Sequence, residues 1–174
     1  FIGSILGETR YYYTPDKFST NINFSENSTW KIQRVNLKTI STADDTTKSY
    51  SFNMGRKFTL NHKFTKNLTS NYSKQIDSNL DEFRYNKLAI VEKMNPGLVK
   101  AISENLSNTY SPDFLKWLSP TITYNPTYKW KLNIIDTLTT TANVTSSNSF
   151  KTKIGFNIKE LIELIYTPEN AGRS

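Results

Sequence analysis

Cysteine is absent from this chain and histidine occurs once, at His62. Without thiols there is neither a disulfide framework nor a thiolate metal site. A lone imidazole leaves no partner for the usual His-rich zinc centres or for paired acid–base work. The phosphate-cradling sequences G-x-x-x-x-G-K-[ST] and G-x-G-x-x-G and the zinc-hydrolase sequence H-E-x-x-H are missing too. Asp44-Asp45 and Asp81-Glu82 have no histidine near them and read as solvated turn or helix-start acids. No catalytic, cofactor-binding or metal-binding residue is therefore assigned, and no enzyme is expected. Nowhere do about 20 apolar residues run together, so no helical membrane span is expected either.

Apolar residues make up only 36% of the 174 positions, yet 13% are aromatic. Serine, threonine and asparagine together supply 59 residues, about a third of the chain. The chain begins at Phe1 without a Met or a signal sequence and stops at Ser174 in mid-phrase, so we expect a piece of something longer. Net charge is +7. A cationic chain suits anionic partners in general, so the distribution of charge matters more than its sum.

That distribution follows parity. From Phe18 to Gln33 the apolar residues Phe18, Ile22, Phe24, Trp30 and Ile32 are all even-numbered. The same holds for Tyr50, Phe52, Met54, Phe58, Leu60 and Phe64 in the next window, for Ile122, Tyr124, Tyr128, Trp130 and Leu132, and for Phe150, Ile154, Phe156 and Ile158. Over the four windows 20 of 27 even positions are apolar and none of the 25 odd positions is. A period of two is the mark of a β-strand with unlike faces. A weaker fifth strand is expected through Leu138, Ala142 and Val144.

Phe64-Thr65-Lys66-Asn67-Leu68 reads as a hairpin connection to a shorter run, Leu68 to Tyr72. Asn133 to Asp136 and Ser146 to Ser149 read as turns, and Asp44 to Thr47 as a longer loop tip. Two stretches read as helical. Residues 80–106 form one insertion, expected to lie outside the membrane: Leu80, Phe83, Leu88, Val91 and Met94 fall at helical spacing. Asn95-Pro96-Gly97 stops that helix, and Pro96 opens a second one with Leu98, Ala101 and Ile102 on its apolar side. Residues 157–166 form a short amphipathic helix striped by Ile158, Leu161, Ile162, Ile165 and Tyr166.

A two-faced antiparallel sheet is either half of a soluble sandwich or the wall of a membrane barrel. The four windows hold eight Lys or Arg but one carboxylate, Glu26. A soluble surface mixes both signs, whereas small hydroxyl and amide groups with scattered lysines suit a water-filled lumen. The 15 residues from Tyr50 to Phe64 also exceed the usual 5–6 of a soluble strand. The fold class expected is mainly β, an antiparallel meander forming an arc of a large transmembrane β-barrel. Unpaired edges are not tolerated in hydrocarbon, so its partners should include outer-membrane lipid and the rest of the same barrel chain. The alternative is a soluble cell-surface β-sandwich or adhesin-like binding domain. The cation–aromatic alternation Tyr128-Lys129-Trp130-Lys131 is explained by strand parity, and no nucleic acid is expected.

Several phrases resemble the outer-membrane translocon family of the type IX secretion system, SprA or Sov, of gliding Bacteroidota. They are Tyr12-Tyr13-Thr14-Pro15-Asp16-Lys17-Phe18-Ser19 before a long strand, the Phe64 to Leu68 hairpin, and Leu115-Lys116-Trp117-Leu118-Ser119-Pro120 followed by Tyr124, Tyr128 and Trp130. Lys116 departs from the family pattern, which commonly has an acid there. The resemblance implies a very large single-chain barrel that passes folded cargo proteins, with a lateral opening, a periplasmic plug and a shuttle lipoprotein as partners. It also implies a periplasmic side for the 80–106 insertion and supplies no catalytic or ligand motif.

Overall fold

The computed structural model describes residues 10–33, 45–113, 117–134 and 140–166, with side chains at 32–33 and 45–46 outside the description. Six strands follow one another in a single antiparallel sheet: β1 Lys17–Gln33, β2 Asp45–Thr65, β3 Leu68–Asn79, β4 Leu98–Tyr110, β5 Leu118–Ile134 and β6 Thr140–Phe156. Spatial order equals chain order, so the sheet is an open meander with β1 and β6 at its edges. Strands of 12 to 21 residues are far longer than the usual 5–6.

The hairpin between β2 and β3 is a local product of sequence. Thr65 Oγ1 accepts from the Asn67 and Leu68 amides at 3.3 and 3.0 Å, closing a two-residue Lys66-Asn67 turn. Past that turn β3 continues to Asn79 rather than stopping near Tyr72.

Four further expectations change. The second helix expected after Pro96 is strand β4, so the helical part of the insertion is confined to a 3-10 turn, Asp81–Phe83, and helix α1, Leu88–Glu92. Ile102, Leu106 and Tyr110 are spaced by four, which fits alternate positions of a strand face as well as a helix stripe. Pairing with β3 and β5 decides for the strand. Ser146 to Ser149 form no turn, because they lie opposite Tyr128 to Asn125 in an unbroken β5–β6 ladder. The weak fifth strand and its successor are thus one strand, with Leu138 outside the described residues. Asp45 to Thr47 belong to β2, opposite Gln33 to Lys31, rather than to a loop tip. Asn133 and Ile134 remain in β5, and residues 135–136 of the expected turn lie outside the described residues. The amphipathic helix α2 forms over Ile158–Ile165, as its stripe predicts, with the Asn157 side chain accepting from the Glu160 amide.

The only core among the described residues sits at one end of the sheet, where the insertion folds back over β2. Phe52, Met54, Leu80, Phe83 and Ala89 are buried there, Leu80 completely. Hydrogen bonds fix the reversal: the Leu80 amide donates to the Phe52 carbonyl at 2.7 Å, and the Phe52 amide donates to Asp81 Oδ1 at 2.6 Å. Backbone groups freed where β3 leaves the ladder are thereby satisfied. Gly97 closes the excursion at φ 73°, and a Cβ there would lie 2.3 Å from the Asn79 carbonyl oxygen. Only glycine fits that approach.

Candidate functional site

Directly opposed residues of neighbouring strands project on the same face, so the registers decide which parity faces where. Ile22 lies opposite Arg56, Arg56 opposite Ile76, Ile76 opposite Ile102, Ile102 opposite Trp130 and Trp130 opposite Val144. Even numbers meet even numbers across all six strands except past the bulges, where Thr65 pairs with Leu68, Ser78 with Val99 and Asn79 with Leu98. The alternation of separate segments thus becomes two continuous sheet faces.

The even face carries the large apolar groups. Many are open: Phe18 is 65% and Phe150 67% exposed. Phe58, Ile122 and Trp130 are half-buried, while Phe52 is covered by the insertion. This face is not uniformly apolar. On β3 and β4 the pairs Tyr72–Leu106 and Ile76–Ile102 alternate with Ser70–Asn108 and Lys74–Glu104. The latter is an ion pair at 2.7 Å. Arg56 donates from a terminal nitrogen to Ser78 Oγ at 2.9 Å, and its buried Nε has no hydrogen-bond partner.

At the insertion the even face gains a polar clasp. Glu26 accepts from Lys87 at 2.6 Å and from the Tyr50 hydroxyl at 3.1 Å, and the Arg84 guanidinium lies 4.2 Å from the centre of the Tyr50 ring. The Glu26 carboxylate beside Lys87 holds that ammonium's pKa above its ordinary value. At the opposite end of β2, Asp113 accepts from Lys66 at 2.8 Å and from the Asn67 side-chain amide at 2.9 Å, which lowers its carboxyl pKa.

The odd face is built of Ser, Thr, Asn and lysine. Lys17 and Lys31 stand on β1, Lys57 and Lys63 on β2, Lys129 and Lys131 on β5, and Lys151 and Lys153 on β6. Asp77 is the sole carboxylate on it among the described strand side chains, and Gln75 donates to both its oxygens at 3.1 and 3.3 Å. Between β1 and β3 this face encloses an open concavity of about 450 Å³ lined by Asn21, Asn23, Asn53, Gly55, Lys57, Gln75 and Asp77 among others. Lys100 lines it as well, although its number is even. A β-bulge explains this: Asp77 pairs with Ala101 but Ser78 with Val99, leaving Lys100 as the extra residue. Parity gives no signal for such a residue, so sequence reasoning misses it. The Lys74–Glu104 pair is missed for a related reason, since β4 reads as a helix.

Among the described residues no group of three or more His, Cys, Asp or Glu is placed to hold a metal ion. No helix among them is long and apolar enough to cross a membrane, which leaves strands as a means of crossing untouched. No protein-family model matches the chain, and no curated protein matches it.

Proposed function

We propose that this sheet is an arc of the wall of an outer-membrane β-barrel, a passive conduit for folded proteins of the type IX secretion class. The observation that carries the reading is the register. Across six long strands it gathers large apolar side chains on one face, and small polar groups with lysines on the other. In a membrane the first face meets acyl chains and the second meets water. Both edges are open, and open edges in hydrocarbon demand further strands, from the same barrel chain in this reading. The insertion over Phe52 then marks a rim beyond the hydrocarbon, where Glu26, Lys48, Arg84 and Lys87 are hydrated.

A hydrated lining without large apolar patches gives passing proteins no hydrophobic surface to adhere to. Leucine at both Asn53 and Thr59 is expected to impair secretion by the assembled barrel while leaving assembly intact, and undiminished secretion would refute the conduit role. The resemblance to the translocon family supplies the proposed partners: cargo proteins, a periplasmic plug and a shuttle lipoprotein.

A second reading, a soluble cell-surface β domain, is favoured by the polar rungs Lys74–Glu104 and Ser70–Asn108 on the apolar face. It predicts that the chain alone, without detergent, is a monomer that melts cooperatively. The barrel reading predicts aggregation unless detergent or a bilayer is supplied.

A further inference from the structure

We infer that the odd-face concavity over β1, β2 and β3 is a binding site for an extended, acidic stretch of polypeptide. Three observations converge on that chemistry. Lys57 and Lys100 both line the concavity, and neither has an ion-pair partner among the described residues. The nearby carboxylate, Asp77, is already held by the Gln75 amide. The two lysines outnumber the one lining carboxylate, so the local field is positive and available to anions.

The uncharged lining selects among anions. Asn21, Asn23 and Asn53 present carboxamides, each with a donor and an acceptor, the same pair that a peptide group offers. Asn21 and Asn23 lie two residues apart on β1, a separation of roughly 6.6 Å, which is the repeat of an extended chain. Gly55 stands between Asn23 and Asp77 in the register and adds no side chain to the floor, where the nearest group is the Asp77 carboxylate, 3.4 Å from the place a Cβ would take. No aromatic ring lines the concavity. That removes the stacking surface on which single-stranded nucleic acid relies.

The site needs only this patch, so the inference stands whether or not the sheet closes into a barrel. Within a conduit it would slow or orient cargo through acidic surface stretches; on a soluble domain it would be a peptide-docking face.

The test uses the 174-residue chain folded in an uncharged detergent, with strand content checked by circular dichroism. A fluorescent Glu-Ser repeat peptide is titrated by anisotropy, beside a Lys-Ser peptide, a single-stranded oligonucleotide and a sulfated polysaccharide. The acidic peptide is expected to bind, to weaken as salt rises, and to lose about tenfold in affinity in each of Lys57→Glu and Lys100→Glu. Lys159→Glu on α2 is expected to leave binding unchanged. Gly55→Val, which fills the floor without altering charge, is expected to weaken the acidic peptide as well. Equal binding of the two peptides would overturn the inference, as would equal or tighter capture of the oligonucleotide or polysaccharide. So would unchanged affinity in the two folded charge variants.

Discussion

Strands β1, β2, β5 and β6 carry apolar residues at most of their even positions. The inner strands carry them at every second even position. On β3 these are Leu68, Tyr72 and Ile76, continued by Leu80 past the strand end, and on β4 they are Ile102, Leu106 and Tyr110. Between them stand Ser70, Lys74, Glu104 and Asn108, so inner rungs of the same face alternate between apolar and polar. A spacing of four belongs to both a strand and, nearly, a helix with its 3.6-residue turn. Pairing, rather than the apolar positions themselves, separates the two structures. The outer strands keep most of these positions apolar, with Arg56 and His62 of β2 among the exceptions, whereas the inner pair carries a Lys74–Glu104 ion pair between its apolar rungs.

Four measurements sharpen or break this contrast. The largest effect is expected at the end of the inner series. Leu80→Ala empties a fully buried position and should cost about 2–5 kcal/mol in urea unfolding. Ile154→Ala on outer strand β6, already 53% exposed, should cost less than about 0.5 kcal/mol in detergent. Similar losses would mean that the insertion is no core.

Next in size is a pair of neighbours on β5. Ile122→Lys should destabilise the chain in a bilayer by about 2–4 kcal/mol, while Thr123→Lys on the other face should be near neutral. Equal costs would erase the two-face assignment.

Third comes the polar rung. Glu104→Gln strands Lys74 on the apolar face and should cost about 1 kcal/mol. Leucine at both Lys74 and Glu104 should restore bilayer stability to at least the starting value, since apolar replacements of a desolvated pair are often neutral or better. A further loss in the double variant would show that water, not hydrocarbon, lies over the inner strands.

The smallest effect concerns the exposed Lys66–Asp113 contact at the hairpin. Folding lowers the Asp113 pKa, so its contribution is complete above the ordinary carboxylate range and disappears as pH falls through the lowered value. Amide exchange at Leu68 should therefore quicken on acidification, beyond the intrinsic pH trend, and Asp113→Asn should flatten that dependence. A variant with the same pH response would remove Asp113 from the account.

Legibility in the sequence followed the same division. The parity of Phe18 to Trp30 and of Ile122 to Leu132 named strands and shared face before any pairing was known, because alternation is a one-strand property. Ser146 to Ser149 look like a turn by composition, but Tyr128 to Asn125 hold them in register. The odd-face lysines were visible individually. Their meeting with Lys100 was not, since it depends on one unpaired residue in a ladder formed by strands far apart in sequence.

Lys100 has a consequence for how this chain can vary. Its place beside Asp77 comes from counting rather than from chemistry: removing any one residue from Val99 to Ala101 would let the ladder run without a hitch. Relatives could thus lose or acquire a positive charge at this spot through a one-codon gap, with every flanking side chain kept. In a comparison of such chains, alignment length across this segment would be more telling than which residues were exchanged.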